Sequence, residues 1–147
     1  MTYPTTLSES LGVIGVISPD SYSASATTVK TDPIEMNRVN QLIAVINIGA
    51  VAGEVDFELT QSATSGGVYT LIDDGVAPKQ MTQIDAATKQ VVISLDASEV
   101  GSAKPFVKGE LLITSGAADV GVVILGSTAR YDPASDFDLG TVAEIIK

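Results

Sequence analysis

The sequence predicts an all-β protein, an antiparallel β-sandwich that is jelly-roll-like and has about eight strands. Short apolar or alternating runs recur along the chain, separated by Gly, Pro, Ser, Asn and Asp, the residues that favour turns. No long stretch with helical periodicity lies between these runs. The 147 residues, 45% of them hydrophobic, suit one domain with its own core. We expect that domain over residues 12–131, with an N-terminal arm over 1–11 and a C-terminal arm or short helix over 132–147.

The first three strands are predicted from apolar runs. One covers residues 12–17 and ends at 18–21, where Pro19 fixes the backbone. An edge strand is predicted over residues 24–31. The most hydrophobic strand covers residues 41–49. Its unbroken apolar character indicates that both faces are covered, in the centre of a sheet or at a contact between copies.

Residues 53–61 alternate between apolar and polar side chains, as in a strand with one face in water. Three side chains are expected to face inward: Val55, Phe57 and Leu59. Four are expected to face outward: Glu54, Asp56, Glu58 and Thr60. The link over residues 49–53 begins and ends with glycine, so we expect a hairpin between this strand and the preceding one.

The second half predicts five further strands, over residues 68–72, 79–84, 89–95, 106–115 and 120–127. The last of these is a second unbroken apolar run, which indicates cover on both faces. Asp96 and Glu99 have the spacing of a capping box, so residues 96–101 predict one helical turn, at whose end Gly101 can adopt a positive φ. Gly109 indicates a bulge or the close approach of another chain. The link over residues 115–119 predicts a second hairpin.

The composition argues against an enzyme. The chain has no Cys, His or Trp. Disulfides and the usual transition-metal ligands are therefore excluded, and so is a serine–histidine triad. Catalysis would depend on carboxylate, Lys, Tyr, Ser or Thr side chains. We expect no catalytic residues, no cofactor and no metal.

Charge and hydropathy also limit the partners. The net charge is −10, and no basic stripe is present that could neutralise phosphates, so we expect no nucleic-acid binding. The longest apolar run, over residues 42–53, is too short to cross a bilayer, and the N-terminus lacks the basic region of a secretory signal. We expect a soluble protein with no membrane partner.

Three acidic groups are candidate sites. The run over residues 73–75 is Asp-Asp-Gly, which is typical of a turn and resembles only the first fragment of a calcium loop. Glu54, Asp56 and Glu58 form the solvent face of a strand, or a contact with a basic partner. A third group lies near Arg130 and indicates a polar linker, or a site for a cation or a partner's Arg: Asp132, Asp136 and Asp138. The glycine-rich runs over 12–15 and 49–53 lack the Lys of a phosphate loop.

Both termini carry isolated apolar residues in a polar background, which indicates that they are tied down on their own domain or on a neighbour. The N-terminal contacts are predicted at Tyr3, Leu7 and Leu11. The C-terminal contacts are predicted at Arg130, Tyr131, Phe137, Leu139, Val142, Ile145 and Ile146. Residues 135–147 fit a short amphipathic helix, weakened by Gly140, or an extended arm.

Several segments resemble the small structural proteins of tailed bacteriophages that act as capsid decoration or cement proteins. They are Thr2–Gly12 (TYPTTLSESLG), Arg38–Leu59, Lys89–Leu95 (KQVVISL) and Gly126–Ile146. The resemblance implies a β-rich module that forms homo-oligomers, commonly trimers, and clamps neighbouring subunits of the major capsid protein. It also implies a location on the capsid surface of the virion, after assembly in the bacterial cytoplasm. Residues 62–87 match this family least.

Other functions remain open at this level. A tail tube or head-completion protein would share the same composition. A carbohydrate-binding adhesin module would use the same class of fold, although sugar sites favour exposed aromatic rings and aromatic residues make up only 5% of this chain. A carboxylate-based hydrolase is the remaining alternative.

Overall fold

The structure is a computed structural model that describes residues 10–24, 28–73, 75, 77–129 and 142–144. Within these residues the chain forms nine strands and one short 3-10 helix. The strands are β1 (Leu11–Ser23), β2 (Val29–Lys30), β3 (Ile34–Glu35), β4 (Val39–Val51), β5 (Glu54–Ser62), β6 (Thr70–Leu71), β7 (Lys89–Asp96), β8 (Phe106–Thr114) and β9 (Ala117–Ala129). The 3-10 helix covers Ala97–Glu99.

The strands form two sheets, and every strand pair in the described residues is antiparallel. The first sheet has the order β1-β9-β4-β7. The second has the order β2-β8-β5-β6, with β3 also paired to β8. The predicted antiparallel β-sandwich is therefore confirmed, while its jelly-roll character stays a prediction.

The core lies between the two sheets and is built from alternate residues of each strand. On β4 the buried side chains are Leu42, Ala44, Ile46 and Ile48. The same period of two on the other long strands buries Val55, Phe57, Leu59, Val107, Leu111, Ile113, Val120, Val122 and Ile124. Because each sheet turns one apolar face inward, residues one position away on the same strands must face outward.

The predicted alternation of β5 is confirmed for its apolar residues, which are all buried. Thr60 corrects the prediction for the polar side. Its parity is outward, yet it is only 2% exposed. Its hydroxyl donates to the Glu110 carboxylate at 3.0 Å, so its polar atom is satisfied without water.

The two predicted hairpins are wrong. β4 pairs with β7 and β9, whereas β5 pairs with β6 and β8, so the chain crosses between the sheets at residues 52–53. β8 and β9 likewise lie in different sheets and are joined by a second crossing at residues 115–116. A short link with glycine allows either geometry, and the pairing partners far along the chain decide between them.

The two crossings pack against each other. The backbone N–H of Ala52 donates to the carbonyl of Ala117 at 2.8 Å. A Cβ on Gly53 would lie 2.5 Å from the carbonyl oxygen of Thr114, and one on Gly116 would lie 2.6 Å from that of Ala52. Gly116 also has a φ of 140°, a conformation open almost only to glycine. Both crossings therefore require a residue without a side chain.

β1 is longer than predicted, because Pro19 does not end it. The strand continues to Ser23, and its pairing with β9 shifts register between Ile17 and Asp20, around the proline. A second shift lies between Val13 and Gly15. A proline is tolerated here because β1 is at the edge of its sheet and the bulge removes the need for its missing N–H.

The other predicted elements appear with changed bounds. Of the edge strand predicted over 24–31, residues 25–27 lie outside the described residues and Val29–Lys30 form β2, while the strand over 68–72 is reduced to β6. Residues 79–84 form only two isolated bridges to β5, at Gln80 and Ile84. The predicted helical turn is present, and both halves of the capping box form between Asp96 and Glu99. Gly101 does not adopt a positive φ.

Gly109 has a different role from those predicted. The register of β8 against β5 is unbroken across it, so there is no bulge. A Cβ at this position would lie 2.6 Å from the ring of Phe57. Glycine is therefore required by the domain's own largest core side chain, and no approach of another chain is needed to explain it.

Gly116→Ala is expected to lower the free energy of unfolding by at least about 2 kcal/mol, since it combines backbone strain with overpacking against Ala52. Gly66→Ala is the matched control, because a Cβ there meets nothing within 4 Å. Urea denaturation of the two variants checks this. Equal midpoints would show that the crossing tolerates a side chain.

Asp96→Asn is expected to destabilise the fold at neutral pH, but not near pH 2. Hydrogen bonds from the backbone N–H and hydroxyl of Ser98, and then from Gln41, lower the pKa of Asp96 to about 2. A carboxyl group whose pKa is lowered by folding stabilises the fold fully above its pKa in the unfolded chain, near 3.8, and this stabilisation is lost as the pH falls toward 2. Thermal unfolding of both proteins between pH 7 and pH 2 measures the difference. A constant difference across this range would contradict the assignment.

Candidate interaction surface

The outer faces of the two sheets differ in chemistry. The outward side chains in the middle of the four-stranded sheet are apolar and uncharged, and we call them the outer apolar band. Its members are Val13, Val16, Ile43, Val45, Val92, Val123 and Leu125. Six of them are half-buried, and Val92 is 58% exposed. No described element packs over them as the second sheet packs over the inner face.

The strand register aligns this band into two rows across the sheet. In one row Leu125 lies between Val13 on β1 and Ile43 on β4. In the other, the order from β1 to β7 is Val16, Val123, Val45 and Val92. Side chains that face each other across strands pack together, so these residues form a continuous apolar surface over β1, β9 and β4. On β7 this surface includes Val92, while the other row ends there at Ser94.

A groove of about 760 Å³ continues the band toward the far end of the sheet. Two outward positions of its floor are glycines, Gly49 on β4 and Gly121 on β9, and the absence of side chains there leaves the recess open. Pro19 lies beside Gly121, 3.0 Å from where a Cβ would be. Asp119 and Lys89 lie at the rim. The groove is open to a ligand or to a segment of protein, and its lining is mainly apolar.

The opposite sheet presents charge. Glu58 and Glu110 are cross-strand neighbours on β5 and β8, and Lys30 binds Glu110 at 3.0 Å. Further along the same face, the amide of Gln83 donates to the carboxylates of Glu54 and Asp56 at 3.1 and 3.0 Å. Glu54 and Asp56, two of the three carboxylates on the predicted acidic face of β5, are therefore held in a hydrogen-bonded network with Gln83 of the same chain.

Two carboxylates in this network have perturbed acidity. Burial raises the pKa of Asp56, and the neighbouring Glu54 raises it further, although the hydrogen bond from Gln83 opposes this. Burial also raises the pKa of Glu58, with added repulsion from Glu110 and Asp56. Both groups are less stable as anions in the folded protein than in the unfolded chain. At neutral pH they therefore lower the free energy of unfolding, and this effect is relieved as the pH falls through their raised pKa values.

The acidic turn over residues 73–75 has the geometry of a turn. The backbone N–H of Gly75 donates to the Asp73 carboxylate at 2.8 Å, and Gly75 has a φ of 80°. Residue 74 lies outside the described residues. In the part of the chain that the structure describes, no group of three or more acidic side chains is arranged to hold a metal ion. The third candidate group, over residues 132–138, is also outside the described residues.

Most of the predicted partner contacts fall outside the described residues as well. These are Tyr3, Leu7, Arg130, Tyr131, Phe137, Leu139, Ile145 and Ile146. Leu11 is the first residue of β1, opposite Ser127, and is half-buried. Val142 is half-buried, and residues 142–144 form neither helix nor strand. The other residues of the C-terminal segment lie outside the described residues, so the short helix and the extended arm both stay predictions.

The outer apolar band and its groove were not predicted as a site. The signal was present, because residues 41–49 and 120–127 were expected to be covered on both faces. The structure confirms their central position, with β4 and β9 adjacent in the middle of one sheet. It also shows that the described chain covers only one of the two faces. Among the described residues, no helix has the length and apolar character needed to cross a membrane.

Comparisons with known proteins identify no family. No protein-family model matches the chain, and no curated protein matches it. Among solved structures, one of infectious bursal disease virus, Gt strain, is similar over 85% of this chain and 33% of the matched viral chain, at 10% sequence identity and a TM-score of 0.42. The Gx strain overlaps with 85% and 35%, at 13% identity and a TM-score of 0.37. The chain spans about a third of the length of those proteins, and TM-scores this low do not establish a shared fold.

Proposed function

We propose that this chain is a virion structural protein without enzymatic activity, a decoration or cement protein on the capsid of a tailed bacteriophage. Its partners in this proposal are the major capsid protein and further copies of itself. The observation that carries the proposal is the outer apolar band, an uncharged surface on a protein whose net charge is −10. The sequence resemblance to capsid cement proteins supports the same role.

The charge distribution favours a protein contact over other uses of this surface. On the outer face of the four-stranded sheet, the positions that lie between the end at Asp119 and the end at Asp96 carry no charged residue. The band could therefore be buried without removing a charged side chain from water. Charges are instead concentrated on the opposite sheet, which would remain in water. A one-sided distribution of this kind is typical of a module that sits flat on a larger assembly.

The size of the band suggests more than one point of attachment. Four strands about 4.8 Å apart and two outward rows about 6.8 Å apart along the strands give a patch of roughly 260 Å². A stable interface needs about 800 Å² on each partner. Contacts by the two terminal arms, as predicted from their apolar residues, would supply the remainder.

The mechanism of this function is mechanical. A protein that binds adjacent shell subunits only when they are assembled stabilises the assembled state by mass action. Each Å² of apolar surface removed from water contributes about 25 cal/mol, so a modest contact repeated over many copies raises the free energy needed to open the shell.

We also interpret the sandwich as a jelly roll. If β2 and β3 are two pieces of one strand interrupted at Pro33, the chain has eight strands in the orders 1-8-3-6 and 2-7-4-5. Two Greek keys wound together give this alternation between sheets. Such folds are common in capsids, although fold alone does not determine function.

Ile43→Lys is expected to reduce binding to the shell about tenfold or more, because it places a charge in the middle of the band. Shells of the virus that carries this gene would be mixed with the purified protein, and the bound copies counted by cryo-electron microscopy. Leu112→Lys is the matched control: Leu112 is an equally half-buried outward residue on the other sheet.

Melting temperatures of both variants separate loss of binding from loss of folding. The proposal predicts normal occupancy for Leu112→Lys and low occupancy for Ile43→Lys, with both proteins folded. Shells that bind no copies of the natural protein would overturn the placement on the capsid. Equal occupancy of the two variants would overturn the role of the band.

A further inference from the structure

The edges of the two sheets are protected unequally. β1 carries Pro19 and two register shifts, which make it a poor template for another strand. The edges of the second sheet are β2, β3 and β6, each only two residues long. β7 is the remaining edge. It has eight residues in unbroken register with β4, with no proline, glycine or bulge.

The sequence of β7 adds to this contrast. Its six central residues, Gln90–Leu95, are uncharged, and four of them are Val, Ile or Leu. Charged residues that commonly protect an edge occur only at its two ends, Lys89 and Asp96. Among the described residues, β4 is the only strand that pairs with β7, so from Gln90 to Leu95 its other side has no described strand beside it.

We propose that β7 is a self-association site, at which it pairs with β7 of a second copy of this chain, antiparallel about a two-fold axis at Val92. The two four-stranded sheets then form one continuous sheet of eight strands. This inference does not depend on the proposed role in a virion, because it concerns contacts between copies of the chain alone.

The register follows from two needs, to keep both faces in phase and to cover the exposed side chain of Val92. Pairing about Val91 or Ile93 would also keep the faces in phase, but only pairing about Val92 sets the two Val92 side chains opposite each other. In an antiparallel pair, residues opposite each other point to the same side. Pairing Val92 with Val92 therefore sets Val91 opposite Ile93 and Gln90 opposite Ser94, so that buried residues meet buried ones and outward residues meet outward ones. A shift by one residue would oppose Val92 to Ile93 and break this match.

The ends of β7 explain why a second copy fits. A strand arriving antiparallel needs an acidic end near Lys89 and a basic end near Asp96. β7 itself provides both, because in this register Lys89 of each copy faces Leu95 of the other, and Asp96 is the next residue. The opposite charges therefore meet at the same end of the ladder, on opposite faces of the sheet, and no like charges are brought together. The contact also covers Val92, which at 58% is one of only two large hydrophobic side chains among the described residues that are highly exposed.

The pairing has a consequence for the outer apolar band. The row that ends at Val92 in one copy continues through the second copy, so a surface four strands wide becomes eight strands wide. The ladder itself is short and buries less than a standard interface, so the dimer is expected to be reversible and to depend on concentration.

Disulfide trapping tests the register directly. The chain has no cysteine, so Val92→Cys introduces a single thiol, which the two-fold axis brings beside its own copy. Opposite residues in an antiparallel pair have Cα atoms about 4.5–5.5 Å apart, within the range that a disulfide spans. Val68→Cys is the control, because Val68 is 87% exposed in a loop. Under mild oxidation, Val92→Cys should form covalent dimers at least tenfold faster.

Sedimentation equilibrium tests the same contact without a covalent bond. Val92→Lys places two ammonium groups opposite each other and should raise the dimer dissociation constant about tenfold. Val68→Lys makes the same change elsewhere and should leave it unchanged, and melting temperatures confirm that both variants fold.

Either of two results would overturn the inference. One is a natural protein that remains a single chain up to millimolar concentration, or an assembly whose mass Val92→Lys leaves unchanged. The other is cross-linking of Val92→Cys no faster than that of Val68→Cys. Both measurements use the purified chain without shells, so their failure is distinct from a failure to bind a capsid.

Discussion

The sandwich depends on backbone-to-backbone contact where the chain crosses between its sheets. The crossing after β4 and the crossing after β8 lie side by side, and only Gly53 and Gly116 let them approach. This contact keeps β4 beside β9 in one sheet while β5 lies beside β8 in the other. The registers of the four longest strand pairings, β1 with β9, β9 with β4, β4 with β7 and β5 with β8, are thereby linked. The register in turn decides which residues face the core and which face water.

Much of the fold could be predicted where the pattern is local. The alternation of β5 identified its buried residues, and the spacing of Asp96 and Glu99 identified the capped turn. The hairpins failed because a glycine-bounded link has the same sequence whether the chain turns within a sheet or crosses between two. That choice is made by strands far apart in the sequence, whose partners no short segment specifies. The prediction that the first strand ends at Pro19 failed for a similar reason, because a proline is tolerated within β1 only through the position of β1 at the edge of its sheet.

The candidate surface was only half visible in the sequence. Unbroken apolar character in β4 and β9 indicated cover on both sides, but not which side would lack it within one chain. The register supplies that answer by aligning Val45 with Val123 and Val92. The grooved part depends on Gly49 and Gly121 facing the same way, which follows from the position of each in its strand. The acidic row on β5 was predicted as a surface, while the hydrogen bonds of Glu54 and Asp56 to Gln83 depend on a residue distant in sequence.

The bulged, proline-bearing edge at β1 limits how far copies of this protein can associate. A sandwich with two receptive edges on one sheet would add copies end to end and grow without limit into a fibre. Here one side of the sheet is closed to addition, so the proposed union through β7 uses the one receptive edge that the described strands of this sheet offer. Assembly by this route would stop at a pair.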